Sequence, residues 1–392
     1  MFPTKHVILR RVSTRRRRGL AGPTATESNA RFVVEVDSLT PGRAVEVSQH
    51  RDVEAVAPVV PMKLIAPVSL AGSVNRVPMG TAWGIRTVGA VTSPFSGDGV
   101  KVAVLDTGID ASHPAFEGVE LVQRNFTGES DNDLHGHGTH CAGTIFGRDV
   151  GGERIGVAPG VRTALIGKVL GQKGGGSDIV LAAIDWAIEH GAQVISMSLG
   201  IDFPGMVADL QQEGVPTELA TSMALEGYRS NILLFERLGS FIHTRADFMR
   251  RPCVLVAAAG NESRRDQDPN FVIAVSPPAV ADGVVSVAAV GPDPDGLTVA
   301  SFSNYGARLC GPGVDILSAQ VGGGLTTMSG TSMAAPHVAG VAALWAEKLM
   351  KSGQFAQRLF IDRFVGSTVT DGMKPGFSSV DVGSGVVQAP QE

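Results

Sequence analysis

The stretch at residues 329–340 combines residue types that can perform nucleophilic chemistry. It reads S-G-T-S-M-A-A-P-H-V-A-G, so Ser332 lies among small residues, and an apolar run at helical spacing follows it. We therefore predict that Ser332 lies at the start of a buried helix. The unpaired N–H groups of a helix N-terminus favour an anion that develops beside them, and small neighbours let another backbone come close. On its own, this stretch fits either a nucleophilic serine or an ordinary helix start with small residues.

A serine hydroxyl needs a neighbouring base to be nucleophilic, and two other stretches offer a base and a carboxylate. Residues 136–143 read G-H-G-T-H-C-A-G and place His137 between glycines. Residues 102–110 read V-A-V-L-D-T-G-I-D, an apolar strand pattern that ends in Asp106. Buried parallel strands place their carboxyl ends at the sheet edge where α/β proteins bind ligands. Asp106, His137 and Ser332 can therefore act as orienting carboxylate, general base and nucleophile.

Five blocks, in the same order along the chain, resemble those of the subtilisin family of serine peptidases. They are the three stretches above together with residues 196–200 (S-M-S-L-G) and 254–262 (V-L-V-A-A-A-G-N-E). The chain order Asp, His, Ser is also the order found in subtilisin. The resemblance runs from Trp83 to the end of the chain. It implies a serine endopeptidase that hydrolyses peptide bonds through an acyl-enzyme intermediate.

The resemblance also implies an oxyanion hole. Asn261 matches the family's oxyanion amide, and the backbone N–H of Ser332 would be its partner. Without the other blocks, glycine followed by asparagine would be interpreted as an ordinary turn. His113 and His140 belong to the same blocks, but we interpret them as hydrogen-bonded structural histidines.

The residues that the resemblance assigns to substrate binding lie at the ends of two strand patterns. They are Ser198, Leu199, Gly200, Ala258, Ala259 and Gly260. Extended substrates would add as a β-strand to the edge at 198–200, and residues 171–176 would form the opposite wall. Because the pocket residues are small and uncharged, we expect a medium or large apolar side chain before the cleaved bond. Glu262 at the rim would also accept a basic one.

Calcium is the stabilising ion that the resemblance implies, but its usual site lacks ligands here. Ala115 stands where the family has an acid, and the loop after the His-bearing helix offers only Asp149 and Glu153. Calcium takes about six to eight oxygen ligands. We therefore predict that this site is absent, that no metal is bound there and that no cofactor is required. Asp131 and Asp133 could hold a different ion or form a solvated acidic loop.

The elements that must position these residues alternate between strand and helix patterns. Helices are predicted at His137–Phe146 and Ser177–Glu189, and strands at Val194–Met197 and Val254–Ala258. Such alternation indicates an α/β fold with a mostly parallel central sheet and helices on both faces. We predict a subtilisin-like catalytic domain over residues 83–392.

Three segments are predicted before this domain. Residues 1–30 carry an arginine run and are expected to be a basic disordered tail, with a nucleic-acid or targeting patch as the alternative. Residues 31–66 show short strand patterns, one of them at 42–47, and resemble the later part of the family's propeptide, a small α+β or β unit. Such a segment would act as an intramolecular inhibitor or chaperone. Residues 67–82 have linker composition and would contain the processing point.

Residues 201–251 form an insertion relative to the family. A part punctuated by proline and glycine leads into a long helical pattern from Thr217 to about Arg250. The insertion is either a lengthened surface helix or a lid or exosite beside the cleft. A lid would favour restricted substrates, so a dedicated processing peptidase and a general protein degrader both remain open. A peptide-binding protein without catalysis is the alternative from a different class.

Composition restricts the class and the partners of the protein. The 392 residues are 43% hydrophobic and 18% charged, which is enough for a large core. A net charge of −5 gives no reason to expect nucleic acid or a membrane as a partner. The resemblance implies polypeptide substrates as partners. The three cysteines are too few for a disulfide framework and are interpreted as small buried hydrophobes. Because no apolar leader is readable, we expect a cytoplasmic protein, with secretion as the alternative.

Overall fold

The computed structural model describes residues 3–13, 30–69, 80–249 and 251–392, in which a small N-terminal unit packs against a larger α/β domain. The N-terminal unit consists of β1 (Thr4–Ser13), β2 (Ala30–Leu39), α1 (Pro41–Ser48) and β3 (Val53–Pro58). Strand β1 lies in the middle and pairs antiparallel with both β2 and β3. The unit is therefore a three-stranded sheet with one helix, an α+β arrangement.

Two predictions about this unit are wrong. Residues 4–13 form a strand and not part of a disordered tail, because Val7 and Leu9 alternate on one buried face. Residues 42–47 lie in helix α1 and not in a strand. The hydroxyl of Thr40 caps this helix by accepting from the N–H of Arg43, and a proline occupies its first turn. The arginine run at 15–18 lies outside the described residues.

The remaining strands follow in chain order: β4 (Pro61–Leu64), β5 (Lys101–Asp106), β6 (Glu120–Asn125), β7 (Thr163–Lys168), β8 (Gly175–Gly176), β9 (Val194–Met197), β10 (Leu199–Ile201), β11 (Val254–Ala258), β12 (Val284–Asp293), β13 (Gly296–Val299), β14 (Leu309–Pro312), β15 (Ile316–Ala319) and β16 (Leu325–Met328). In the described part of the chain, eight of them form one sheet in the order β13-β12-β11-β9-β5-β7-β6, with β14 beside β12. All neighbouring pairs in this sheet are parallel except β12 with β13.

The helices that follow α1 are α2 (Trp83–Thr87), α3 (His137–Phe146), α4 (Ser177–Glu189), α5 (Phe203–Gln212), α6 (Thr217–Met249), α7 (Thr331–Lys351), α8 (Gln357–Val365) and α9 (Ser379–Val382), with a short 3₁₀ helix at Pro114–Phe116. Alternate residues of β5 face opposite sides of the sheet: Val104 packs in one apolar cluster with α3 and α7, and Leu105 in another with α4 and α6. The predicted α/β class, with helices on both faces, is confirmed. No helix among the described residues is both long enough and apolar enough to cross a lipid bilayer.

The insertion forms the two helices α5 and α6. Its proline- and glycine-containing part is mostly helical, because the carboxylate of Asp202 caps α5 by accepting from the N–H of Gly205. Helix α6 packs against the N-terminal unit. The side-chain amide of Asn231 donates to the carbonyl of Pro58 at 2.8 Å, and the ring of Phe241 contacts that of Phe32. Neither interpretation of the insertion from the sequence included this contact.

Candidate active site

His137 and Asp106 form a buried pair at the carboxyl edge of the sheet. Asp106 ends strand β5 and His137 begins helix α3. Nδ1 of His137 lies 2.8 Å from Oδ1 of Asp106, so the Nδ1–H donates to the carboxylate, and in the neutral ring Nε2 is left as an acceptor. Burial lowers the pKa of His137, but the charge of Asp106, the neighbouring Cys141 and the hydrogen bond to Asp106 together outweigh burial and raise this pKa well above its ordinary value.

Asp133 holds the loop that leads into helix α3, a role that the sequence did not indicate. One oxygen accepts from the hydroxyl of Thr107 and from the N–H groups of His135 and Gly136. The other accepts from the N–H and the hydroxyl of Thr139. Burial raises the pKa of Asp133, but these hydrogen bonds outweigh it and lower that pKa. Because the carboxylate is buried and fully bonded, a solvated acidic loop was the wrong interpretation for this residue.

Ser332 lies in the first turn of α7 and is fully buried, as the apolar pattern predicts. Its hydroxyl lies 3.4 Å from Sδ of Met333, and Nε2 of His137 has no hydrogen-bond partner among the described residues. The hydrogen bond between serine and imidazole is therefore not formed in this state. Sγ of Cys141 lies 3.6 Å from Nδ1 of His137 and 3.4 Å from the carbonyl oxygen of Ser332, so both residues border the same thiol.

The cysteines fill space in the core. All three, Cys141, Cys253 and Cys310, are free and buried, which confirms their interpretation as small hydrophobes. Burial raises the pKa of the Cys141 thiol, so it stays neutral near neutral pH.

The side chain of Asn261 faces the same region as Ser332. Its Oδ1 accepts from the N–H and from the hydroxyl of Thr331, each at 2.8 Å, and this fixes the orientation of the amide. Nδ2 then points into the cleft and donates to the carbonyl of Ala66 at 2.8 Å. The preceding Gly260 has φ +117°, and a Cβ there would lie 2.2 Å from Nδ2 of Asn304. Only glycine fits this turn, because the backbone is left-handed and the space is filled.

The cleft lies between β10 and β8, and residues 61–68 of the chain itself occupy it. Strand β4 lies between β10 and β8 and is antiparallel to both. The N–H of Ile65 donates to the carbonyl of Ser198 at 3.2 Å, and the N–H of Val68 donates to that of Ser329 at 2.7 Å. The start of the predicted linker is therefore bound in the cleft, and residues 70–79 lie outside the described residues.

Most of the predicted substrate-binding residues contact this segment or lie beside it. Leu199 pairs with Leu64, and Gly200 pairs with Lys63. The side chain of Ile65 is buried in the same apolar cluster as Ala258, and a Cβ on Gly200 would lie 3.7 Å from its Cδ1. The side chain of Ala259 instead belongs to the cluster on the other face of the sheet.

Two further histidines of the blocks make structural hydrogen bonds. Nε2 of His140 lies 2.9 Å from the carbonyl of Ile316, and burial together with the nearby charge of His137 lowers the pKa of His140 to about 3. Nε2 of His113 lies 2.8 Å from the carbonyl of Gly324, while its Nδ1 accepts from a backbone N–H. Both side chains are therefore committed to backbone partners.

The region of the family's usual calcium site contains few side-chain oxygens. Ala115 is buried, and the carboxylate of Glu153 accepts from the N–H of Gly80 at 2.6 Å. Absence of this calcium site stays a prediction. In the described part of the chain, Asp106, His137 and Cys141 are the group whose donor atoms lie close enough together for a metal ion, and they coincide with the Asp–His pair above.

A buried Asp–His pair, a serine at a helix start and a neighbouring amide, in the chain order Asp, His, Ser, define the class of serine peptidases to which subtilisin belongs. The sequence profile of the subtilase family matches residues 97–377. The chain therefore belongs to the subtilase family, and its enzyme class is that of serine-type endopeptidases.

Individual relatives agree with this assignment. The chain is 36% identical over 278 residues to an intracellular serine protease of Paenibacillus polymyxa, a match that covers 69% of this chain and 73% of that protein. It is 33% identical over 321 residues to subtilisin-like protease 6 of Arthroderma benhamiae, covering 76% of this chain and 65% of the relative. A third match, to subtilisin-like protease 1 of Arthroderma gypseum, is 32% identical and covers 79% of this chain but 57% of the relative. The chain thus spans less than two thirds of the two fungal proteins.

Proposed function

We propose that this chain hydrolyses peptide bonds through a triad of Asp106, His137 and Ser332, and that its own N-terminal segment inhibits it. One observation carries the proposal. Residues 61–68 lie in the cleft as an extended strand, and the carbonyl of Ala66 accepts a hydrogen bond from Nδ2 of Asn261. A backbone carbonyl that accepts a hydrogen bond from this amide is what an oxyanion hole for acyl transfer from a peptide requires.

The proposed reaction assigns one task to each group. Oγ of Ser332 attacks the carbonyl carbon of the substrate while Nε2 of His137 takes the hydroxyl proton, and Asp106 stabilises the imidazolium that forms. Nδ2 of Asn261 and the N–H of Ser332 donate to the oxyanion of the tetrahedral intermediate. The intermediate collapses when His137 gives its proton to the leaving amine, which leaves an acyl-enzyme. Water, activated by the same histidine, then releases the acid and restores the serine.

The bound segment has features of an inhibitor. Ile65 donates its N–H to Ser198, but the carbonyl beside Asn261 belongs to the following residue, Ala66. The peptide bond after that carbonyl ends in Pro67, whose ring nitrogen carries no hydrogen and whose backbone is rigid. The Ser332 hydroxyl, which faces Met333 and not His137, agrees with a resting state. These features support inhibition by a segment that binds as substrates do but is not positioned for attack.

Contacts outside the cleft support the same proposal. The N-terminal unit is anchored on α6 by the hydrogen bond from Asn231 to Pro58 and by the ring contact between Phe32 and Phe241. Anchoring raises the effective concentration of the segment at the cleft, because it is linked covalently to the docked unit. The proposed inhibitor is therefore the unit and the segment together.

The test is covalent labelling of the full chain with an excess of a fluorophosphonate, together with cleavage of short peptides. We expect labelling of the wild type and of Ser352→Ala, a matched change at the other end of α7, and no labelling of Ser332→Ala. Ser332→Ala should also lose peptide cleavage, because nucleophile and base act as a unit. A folded wild type that neither reacts nor cleaves would overturn the proposal and favour a peptide-binding protein. Labelling that persists in Ser332→Ala would place the nucleophile elsewhere.

Side-chain selectivity separates a dedicated processing peptidase from a general protein degrader. The apolar environment of Ile65 supports the expectation of an apolar residue at that position, with tolerance for several such residues. Lys63, two residues before Ile65, lies near charged side chains, and these bear on selectivity at a second position of the substrate.

A further inference from the structure

Lys63 lies in the cleft between two carboxylates. It belongs to strand β4 and pairs with Gly200, so the backbone of β10 fixes its position. Its Nζ lies 3.0 Å from Oδ1 of Asp202 and 3.9 Å from Oε1 of Glu262. Asp202 lies at the start of the insertion, and Glu262 directly follows Asn261 in the sequence. The ammonium group of the bound segment therefore bridges two separate parts of the catalytic domain.

Both carboxylates are held in place by other groups. Oε2 of Glu262 accepts from Nδ2 of Asn304 at 2.8 Å, and Asn304 is fully buried. Oδ1 of Asn304 accepts in turn from the N–H groups of Glu262 and Ser263. Asp202 is fixed by its role as the cap of α5. Carboxylates oriented before a cation arrives lose less freedom when they bind it.

The side chains of the bound segment face different environments. Met62 and Ile65 are buried in apolar clusters, whereas Lys63 extends toward the rim. In a peptide that pairs with β10 in the same register, the residue equivalent to Lys63 would lie between Asp202 and Glu262. This residue lies two positions before the one in the apolar pocket occupied by Ile65.

We propose that Asp202 and Glu262 form a subsite for a basic side chain, and that the preferred substrates carry Lys or Arg two residues before the residue in the Ile65 pocket. The inference rests on the proposed function, since it assigns selectivity to the same cleft. Lys63 in the inhibitory segment uses this subsite in the way a substrate would. Oε1 of Glu262 lies 3.9 Å from Nζ of Lys63, so this carboxylate faces the position two residues before Ile65.

The expected preference is modest because the subsite is open to solvent. The side chains of Lys63, Asp202 and Glu262 are 39%, 32% and 39% exposed. Water and salt screen ion pairs of this kind, so we expect Lys to be favoured over Gln by about 3- to 5-fold in kcat/KM. Glu at the same position should be disfavoured relative to Gln, because like charges repel.

The experiment uses the full chain and three internally quenched peptides that contain Met-Xaa-Leu-Ile-Ala, with Lys, Gln or Glu at Xaa. Every peptide must displace the same inhibitory segment, so the ratio of two kcat/KM values does not depend on the cost of displacement. The ratio of Lys to Gln should fall toward one in high salt. It should also fall toward one in the double variant Asp202→Asn, Glu262→Gln. Both replacements keep a side-chain oxygen for the existing hydrogen bonds, so the local fold is preserved.

Glu213→Gln, at the far end of α5, is the matched control for the loss of one negative charge and should keep the wild-type ratio. Equal cleavage of the Lys and Gln peptides by the wild type would overturn the subsite while leaving the proposed function intact. A ratio that stays unchanged in the double variant would do the same. If none of the peptides is cleaved, the proposed function fails, and the subsite assignment falls with it.

Discussion

At the scale of single residues, the protonation of His137 decides whether the proposed triad can work. Only neutral imidazole can accept the proton of Ser332, and the charge of Asp106 raises the pKa of His137 above its ordinary value of 6.5 despite burial. A raised pKa keeps the ring protonated to higher pH. We therefore expect kcat/KM to rise with pH and to reach half its maximum above pH 6.5. The measurement is a profile of kcat/KM for a short peptide whose own charge does not change.

Two results of that measurement would contradict the assignment. A profile that is flat between about pH 5 and 8 would exclude a histidine base. A midpoint below the ordinary histidine pKa would mean that Asp106 does not stabilise the imidazolium in the free enzyme. Asp106→Asn serves as the comparison, since removal of the charge should lower the midpoint as well as the rate.

The residues of the proposed triad could be predicted from local sequence, but their present state could not. Glycines around His137 and small residues around Ser332 are signals in the local sequence, and they do not depend on which distant segments pack nearby. The direction of the Ser332 hydroxyl depends on what occupies the cleft, and the partner of Asn261 is the carbonyl of Ala66, far away in sequence. Contacts between distant segments leave no periodic trace in the sequence around either partner.

At the scale of elements, prediction was accurate where apolar residues fix the period. Four elements have the predicted bounds: the helices His137–Phe146 and Ser177–Glu189 and the strands Val194–Met197 and Val254–Ala258. The strands are buried on both faces and each helix buries a broad face, so their apolar residues fix the period. Residues 42–47 were misassigned because a short stretch with two valines fits either period, and the cap at Thr40 decided for helix. Short elements on the surface carry too few apolar positions to decide.

The loop before α3 provides the prediction at this scale. Asp133→Asn replaces one carboxylate oxygen by an NH2 group, which donates hydrogen bonds but cannot accept them, so the donors of Thr107 or of Thr139 lose their partner. We expect the free energy of unfolding to fall by about 1–3 kcal/mol. We also expect kcat to fall more than KM changes, because the loop positions His137 and does not bind substrate. Denaturant unfolding and steady-state kinetics on the same preparation measure both effects.

Asp131→Asn is the control for this loop, since Asp131 is exposed and precedes the network. It should change neither stability nor kcat appreciably. An Asp133→Asn protein with wild-type kcat would show that the loop does not need this carboxylate to position His137. Equal losses in the two variants would indicate a general effect of charge on the loop.

At the scale of the whole molecule, the insertion, the N-terminal unit and the cleft are physically connected. Helix α6 contacts β3, the chain continues from β3 into β4, and β4 lies in the cleft. Asp202, where the insertion begins, also pairs with Lys63 of β4. The sequence indicated a long helix in the insertion but could not reveal its partner, because an apolar helix face can pack on any apolar surface. The insertion therefore links docking of the unit to occupancy of the cleft.

This connection predicts that a weakened contact on α6 raises the activity of the full chain. Asn231→Ala removes the hydrogen bond to Pro58, and Phe241→Ala removes the ring contact with Phe32. If docking holds the segment in the cleft, a loss of about 1 kcal/mol should increase the open fraction, and thus the initial rate on a short peptide, by about five-fold. Leu225→Ala, on the exposed face of the same helix, should leave the rate unchanged. Initial rates that match the wild type in both Asn231→Ala and Phe241→Ala, with the proteins folded, would mean that the segment stays in the cleft without help from α6.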